Sequence, residues 1–275
     1  MIASLATKLL SIGAYFYFFF GFTAYFFWFA APDLLSSLPD ALVSGVNFLA
    51  PSEFNAKPAN DTNNIEAALN NVALMLLFIV PHSILANESV KQSMGIPVSV
   101  ERSLFVLQSQ LALHIQMTYW KPFGSTIYDV RGLFLGQALQ VFSVAGYLFV
   151  LSASFALDHF DLFGLSQAFG VDINKMLNIH PKENGVSKRW HYSIVAHPIM
   201  TGFLMECWGA PLMTTSRLLF NVVSTLYCTL GVKLFEEKKL EAMLGKEYDD
   251  YLHSVPSFCP FLPPARSNKS KSKSK

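Results

Sequence analysis

The sequence predicts an all-α, polytopic transmembrane helix bundle of five to six spans, followed by a C-terminal amphipathic interfacial helix. Three observations carry this. The chain of 275 residues is 52% hydrophobic and only 14% charged, where an ordinary soluble domain has about 25% charged residues. Its apolar residues, 25 Phe among them, fall in long blocks rather than being spread evenly. Several of these blocks approach the ~20 residues that a helix needs to cross a ~30 Å hydrocarbon core.

The first block, Leu9 to Ala31, is too long for the apolar region of a cleaved signal peptide, despite Lys8 before it and Ala30-Ala31 after it, and reads as an uncleaved span. The second runs from about Ala67 to Ala86, the third from Leu104 to Tyr119 and the fourth from Leu133 to Leu157. The fifth region, Tyr192 to Phe235, is long enough for two passes and is interrupted by Gly209-Ala210-Pro211. Pro cannot continue a helical hydrogen-bond ladder and Gly permits a sharp reversal, so the interruption reads as a hairpin turn. This gives six helices, with five as the lower count.

The interfacial helix is placed at 236–253. There Leu240, Met243, Leu244, Tyr248, Tyr251 and Leu252 recur at spacings of three and four, opposite Lys238, Lys239, Glu241, Lys246 and Asp249. Such a helix lies along a membrane surface rather than crossing it. Residues 1–262 are thus expected to form one membrane-embedded domain, with an extra-cytoplasmic loop at 32–65 and a C-terminal hairpin at 192–235. The Lys/Ser tail, 263–275, is expected to be disordered.

Orientation follows from where Lys and Arg fall. The 32–65 loop carries Asp33, Asp40, Glu53 and Asp61 against Lys57, whereas 160–191 holds Lys175, Lys182, Lys188 and Arg189, and the C-terminus is basic. Both termini are therefore expected in the cytoplasm, with no indication of which membrane. Asn60-Asp61-Thr62 is a short glycosylation motif that is usable only if its loop is lumenal. A net charge of +1 gives no electrostatic case for nucleic acid. Cys207, Cys228 and Cys259 have neither the spacing of a disulfide framework nor that of a zinc site, so no metal is expected.

Polar groups at membrane depth are expensive, and those that persist usually face a cavity, a partner or a substrate path. Pro81-His82-Ser83 lies near the cytoplasmic end of the second helix. Gln108, Gln110, His114 and Gln116 lie on the third, after Glu101-Arg102 at the surface, and interhelical hydrogen bonding accounts for them. His197-Pro198 begins the fifth helix and Glu236-Glu237 ends the sixth, so the hairpin brings them together on the cytoplasmic side. Two carboxylates at a helix C-terminus are opposed by its dipole and call for a cationic or hydroxyl-rich partner. Ordinary ion pairs with Lys233, Lys238 or Lys239 are the alternative.

Tyr192-Ser193-Ile194-Val195-Ala196-His197-Pro198, then Gly202, Glu236-Glu237, Leu240, Gly245, Tyr248, Tyr251 and Val255-Pro256 resemble the C-terminal signature of the isoprenylcysteine carboxyl methyltransferase superfamily of membrane enzymes. The methanethiol S-methyltransferase and nurim branch looks closest. It is suggested by His82-Ser83, Glu101-Arg102-Ser103, Trp120-Lys121-Pro122, the run from Asp158 to Gln167, and Trp208-Gly209-Ala210-Pro211-Leu212-Met213-Thr214. The resemblance spans about residues 70–262. It departs at Ala196, where the superfamily usually has Arg; another cation, Lys188 or Arg189, would then have to serve.

The resemblance implies an S-adenosylmethionine-dependent S-methyltransferase acting on a small apolar thiol within the membrane, methanethiol giving dimethyl sulfide. It implies cofactor binding by Tyr192, His197, Pro198, Gly202, Glu236, Glu237, Tyr248 and Tyr251, with site closure or substrate contact by Glu101, Arg102, Asp161 and Gln167. A free alkyl thiol is mostly protonated at neutral pH, so a base near the acceptor is useful, and His82 is the candidate. Methylation of a prenylcysteine carboxylate and a nurim-like protein without turnover are the alternative readings.

Overall fold

A computed structural model describes residues 4–179 and 185–266; the expected disordered tail lies, from residue 267 on, outside the described residues. The chain opens on α1 (Leu5–Tyr25), where the Ser4 hydroxyl accepts a hydrogen bond from the Thr7 N–H, and α1 runs on as a π-helical turn, Phe26–Ala30. Two short helices, α2 (Pro32–Leu35) and α3 (Asp40–Leu49), occupy the following loop. Helix α4 (Asn64–Leu85) starts where the Asn63 side chain accepts from the N–H groups of Ile65 and Glu66, two donors that the helix cannot itself satisfy. Then come α5 (Glu88–Ser93), α6 (Val98–Tyr119), β1 (Thr126–Asp129) and α7 (Phe134–Leu157). Three short helices follow, α8 (His159–Leu162), α9 (Leu165–Phe169) and α10 (Ile173–Met176). A 3₁₀ turn at Trp190–Ser193 leads into α11 (Pro198–Trp208) and β2 (Leu212–Thr214). Helix α12 (Thr215–Gly231) passes through a second π-helical turn, Val232–Glu236, into α13 (Glu237–Leu244), and α14 (Lys246–Leu252) ends the series.

Four stretches among the described residues are long and apolar enough to cross a membrane: Leu5–Ala30, Asn64–Leu85, Phe134–Leu157 and Thr215–Leu244. Their outer faces carry exposed side chains such as Phe16, Phe20, Leu69, Leu76, Val141, Leu148, Leu226 and Leu230, which a bilayer would solvate. Helix α6 has the length of a span but carries Glu101, Arg102, Gln108, Gln110, His114 and Gln116. Helix α11, at 11 residues, is shorter than a span needs. The six expected passes are therefore four long apolar helices, one polar helix and one short one.

Other expectations are corrected in detail. The region read from Tyr192 opens on a 3₁₀ turn, and its helix begins at Pro198 as His197-Pro198 indicated, because Pro at the first helical position both fixes φ and lacks the N–H that would go unpaired. The reversal does fall at Gly209-Ala210-Pro211, but a two-stranded antiparallel ribbon of β1 and β2 adjoins it, so the fold is not purely α. Glu236 and Glu237 do not end a helix: the chain stays helical through them to Leu244. The dipole argument therefore does not apply to them. The expected interfacial helix is two helices, broken at Gly245, whose φ of 57° and ψ of −129° suit glycine. Tyr248, Tyr251 and Leu252 are buried with Ala196 and Val255 in a small core of their own.

Interhelical pairs fix the directions. Ser103 Oγ donates to Ser11 Oγ at 2.7 Å, His114 meets Tyr17 at 2.9 Å and Tyr25 donates to Gln116 at 2.9 Å, so α1 and α6 run parallel. His82 against Ser109 and Asn70 against the Tyr119 carbonyl set α4 antiparallel to α6. Helix α11 lies antiparallel on α7 at a backbone crossing where a Cβ on Gly202 would come 2.6 Å from the Gly146 carbonyl oxygen. The start of α1 and the end of α13 consequently share one end of the bundle. The opposite end is closed by an aromatic core of Tyr25, Trp28, Phe29, Phe54, Trp120 and Phe220.

In the loop after α7, His159 packs 3.9 Å from the Phe155 ring and is held at both nitrogens. The Ser154 hydroxyl donates to the Leu151 carbonyl, so it accepts from His159 Nδ1 (2.8 Å), and Nε2 accepts from the Tyr15 hydroxyl (3.0 Å). This neutral tautomer agrees with burial, which lowers the pKa from 6.5 to about 4. Two outcomes are expected. Gly202→Ala should destabilise the purified protein by about 1–3 kcal/mol through overpacking, read as a lower unfolding temperature. A folded-state pKa below the unfolded one makes the His159 contribution complete above 6.5 and lost as pH falls towards about 4; His159→Gln should flatten that acid-side decline.

Candidate functional site

The site at the shared end of the bundle is built on the start of α11. Ala196 N–H donates to the Pro256 carbonyl (2.8 Å), His197 N–H to the Ser257 carbonyl (3.1 Å), and Thr201 Oγ1 to the Phe258 carbonyl (2.9 Å). The segment after α14 thus runs alongside the α11 start like an extra strand. It holds the His197 imidazole near the Phe258 ring, with centroids 5.6 Å apart.

Both ring nitrogens of His197 face carboxylates. Nδ1 lies 3.3 Å from Glu236 Oε1 and Nε2 lies 3.3 Å from Glu237 Oε1. With both carboxylates ionised, each nitrogen must carry a proton, so the favoured ring is the imidazolium. Burial opposes that charge, but the two hydrogen bonds and the two negative charges outweigh it, and the pKa is raised above the ordinary 6.5. The Lys233 ammonium completes the cluster, 2.5 Å from Glu237 Oε1 and 2.9 Å from Ser257 Oγ. The π-helical turn Val232–Glu236 contains Lys233 and Glu236 and ends just before Glu237. Such wider turns fan successive side chains less than an α-turn, which helps two neighbouring glutamates reach one imidazole, and they are frequent at functional sites.

His197 and Glu237 are nearly fully buried and satisfy each other, whereas the Glu236 side chain is 44% exposed. Ala196 sits in the small core with Tyr248, Tyr251 and Leu252. The cation beside Glu237 is Lys233, not Lys188 or Arg189. Tyr251 donates to the Tyr192 carbonyl (2.7 Å), which ties α14 to the approach to α11. Gly202 faces α7 at the backbone crossing rather than the cluster, and Pro198 is the first residue of α11.

A second group lies at the same end. A cavity of about 420 Å³ is lined by Arg102, Asp158, Asp161, Gln167, Ser187 and Arg189, with apolar contributions from the end of α7. Arg102 Nε donates to the Leu162 carbonyl (2.7 Å), and Gln167 Nε2 donates to Asp161 Oδ1 (2.9 Å). Gln167 Oε1 and Ser187 Oγ are buried without a hydrogen-bond partner among the described residues. In a folded protein such atoms usually have a partner. In the chain between these groups Gly185, Ser187 and Arg189 wall the cavity on one side, while Val186 packs on the Tyr248–Tyr251 core.

The structure thus divides the residues expected at one site into two neighbouring groups. His197, Glu236 and Glu237 meet directly, Arg102, Asp161 and Gln167 share the cavity, and Glu101 pairs with Lys91 instead. His82 stands apart from both, on α4 against α6. Ser109 Oγ donates to the Phe105 carbonyl (2.8 Å), so His82 Nδ1 donates to Ser109 (3.0 Å) and its Nε2 keeps a lone pair. Ser257 and Phe258 escaped the sequence reading. Their only signal there is a short run between Pro256 and Pro260.

The methanethiol S-methyltransferase 1 of Bradyrhizobium diazoefficiens is 34% identical over 203 residues, covering 73% of this chain and 70% of that protein. The methanethiol S-methyltransferase of Crocosphaera subtropica is 34% identical over 223 residues, covering 78% and 83%. Nurim of Bos taurus is 28% identical over 186 residues, covering 64% and 70%. No protein-family model and no solved structure matches the chain.

Stability should record the His197 charge. A raised folded-state pKa contributes fully below the unfolded value of 6.5 and is lost as pH climbs through the folded one. The unfolding temperature of the wild type should therefore fall on the alkaline side, and His197→Gln, which carries no titrating charge, should lower the plateau and remove that decline.

Proposed function

Because the chain belongs to the methanethiol S-methyltransferase family, we propose that it transfers a methyl group from S-adenosylmethionine to methanethiol at one face of a membrane, releasing dimethyl sulfide. The carrying observation is the cavity with its donor set. Two guanidinium groups, two carboxylates, an amide oxygen and a hydroxyl stand around one space, and the last two lack partners among the described residues. That set suits a ligand bearing an amino-acid head and ribose hydroxyls. In this reading Arg102 and Arg189 take the carboxylate, Asp158 and Asp161 face the ammonium, and Gln167 and Ser187 accept from hydroxyls.

S-adenosylmethionine supplies an electrophilic methyl group on a sulfonium. The chain's share is proximity and exclusion of water, because attack by a thiolate is an in-line displacement and a desolvated thiolate is the better nucleophile. His82 is not in the cavity's lining but packs on Phe105, over whose ring the cavity residue Arg102 also lies; in this reading its Nε2, left unprotonated by the Nδ1–H bond to Ser109, takes the proton of a thiol that enters between α4 and α6. Glu236 is the member of the imidazolium cluster exposed enough to meet the ligand, while His197, Glu237 and Lys233 hold the start of α11 in place. Lys233 then serves in place of the cation that Ala196 lacks. In this reading the end of the bundle that carries the basic 160–191 loop faces the cytoplasm. Methanethiol, small and apolar, reaches the site through the bilayer.

The test is to supply purified full-length protein in detergent with methyl-labelled S-adenosylmethionine and methanethiol and to collect volatile label. Labelled dimethyl sulfide is expected. Arg102→Met and Gln167→Ala should raise KM for the methyl donor, while His82→Ala should lower kcat by about a hundredfold or more with donor KM little changed. Donor binding without volatile product would point to a different acceptor. Absence of both would favour the non-enzymatic, nurim-like reading.

A further inference from the structure

The segment after α14 extends well past the residues that hold His197. Along its first limb, Ala196 N–H donates to the Pro256 carbonyl, His197 N–H to the Ser257 carbonyl and Thr201 Oγ1 to the Phe258 carbonyl, so the chain descends beside the first turn of α11. It then reverses, with the Leu262 N–H on the Cys259 carbonyl (3.0 Å). On the return limb the Ala265 N–H meets the Val255 carbonyl (2.9 Å) and the Arg266 N–H meets the Leu252 carbonyl (3.0 Å). The Arg266 guanidinium, paired with Glu241 and Asp249, marks the level at which the chain regains water. Residues 256–264 are thus a loop pinned on both limbs.

The packing of α11 on α7 gives the depth. A Cβ on Gly202, the neighbour of Thr201, would come 3.0 Å from the Val150 backbone nitrogen. Val150 lies seven residues, or about 10 Å of helix, inside the apolar stretch that ends at Leu157. The Phe258 carbonyl on Thr201 therefore sits within the apolar length of the bundle, and the tip leaves from that depth. The composition of the tip fits such a place. Pro260, Phe261, Leu262, Pro263 and Pro264 carry no polar side chain and all are exposed, Phe261 at 93% and Leu262 at 61%. Backbone donors, which hydrocarbon cannot satisfy, are scarce there. The three prolines have no N–H, and that of Leu262 is already bound.

We propose that residues 256–264 form a re-entrant wedge, its tip from Pro260 to Pro264 lodged among the phospholipid acyl chains of the leaflet on the His197 side of the bundle. The bilayer is the occupant that this surface fits, because an uncharged tip with few free donors gains by leaving water, whereas its two limbs keep their hydrogen bonds within the protein. The wedge adds a membrane contact that no apolar span announces. It stands on the fold alone and does not depend on methyl transfer.

The experiment uses full-length protein in phosphatidylcholine nanodiscs. A nitroxide is attached through Phe261→Cys in a Cys259→Ser background, Cys207 and Cys228 being buried. Its collisions with oxygen, which concentrates among acyl chains, are compared with those of a nickel chelate confined to water. Leu148→Cys on the outer face of α7 and Lys246→Cys on α14, both at exposed positions, serve as the lipid and water references. The oxygen-to-nickel ratio at position 261 should lie severalfold above the Lys246 reference and close to that of Leu148. A ratio matching the Lys246 reference would overturn the proposal. A label shielded from both agents would do the same, and spin–spin broadening would then identify a second copy as the cover. Should Phe261→Cys fail to fold, Phe261→Trp keeps the tip apolar. The fluorescence it adds to that of the wild type should be quenched by brominated acyl chains and spared by aqueous iodide; the reverse pattern would equally overturn the wedge.

Discussion

The placement of everything at the shared end depends on one charged ring. His197 caps α11 and its two nitrogens reach two consecutive carboxylates on a different helix. The attraction is worth having only because burial removes competing water, and burial is tolerable only because both carboxylates are present. Lys233 and Ser257 extend the same logic, tying the α12 extension to the segment after α14. Three stretches distant in sequence are thereby held at one point, and the wall between that point and the donor-rich cavity is fixed with them.

The bundle solves the general problem of a membrane protein with local means. Where lipid supplies no hydrogen bonds, polar side chains must find each other. Ser11 meets Ser103, Tyr17 meets His114, and Tyr25 meets Gln116 along the α1–α6 seam. At the α7–α11 seam the solution is different: Gly146 and Gly202 let two backbones touch, the close approach that small residues allow between membrane helices. The third helix could therefore be polar and still belong to the bundle.

Much of this was legible in the sequence. The long apolar blocks located α1, α4, α7 and α12 to within a few residues, since a span is a matter of length and composition that no tertiary contact needs to reveal. The pairing of His197 with the two glutamates was also legible, because a hairpin turn at Gly209–Pro211 returns the chain to the level from which it left. What stayed hidden was whatever depends on contacts between distant segments. The ribbon of β1 with β2 comes from four- and three-residue strands with no alternating pattern. The strand-like run of Pro256 to Phe258 along α11 depends on where α14 turns the chain. The continuation of α12 past Glu237 was missed because two adjacent acids look like a terminus, whereas in the fold His197 and Lys233 compensate their charge.

The ribbon at the far end sets how the molecule can move. By pairing the turn after α11 with the segment before α7, it fastens the hairpin to α7 at the end remote from the cavity lined by Arg102 and Gln167, while the glycine crossing clamps the same two helices along their length. These helices can then shift only as a block. Any breathing that lets a ligand in or out would then fall to the cavity's other side, where the short helices after α7 meet α6 through Arg102 on the Leu162 carbonyl, the Ser103–Gly164 contact and the packing of α9.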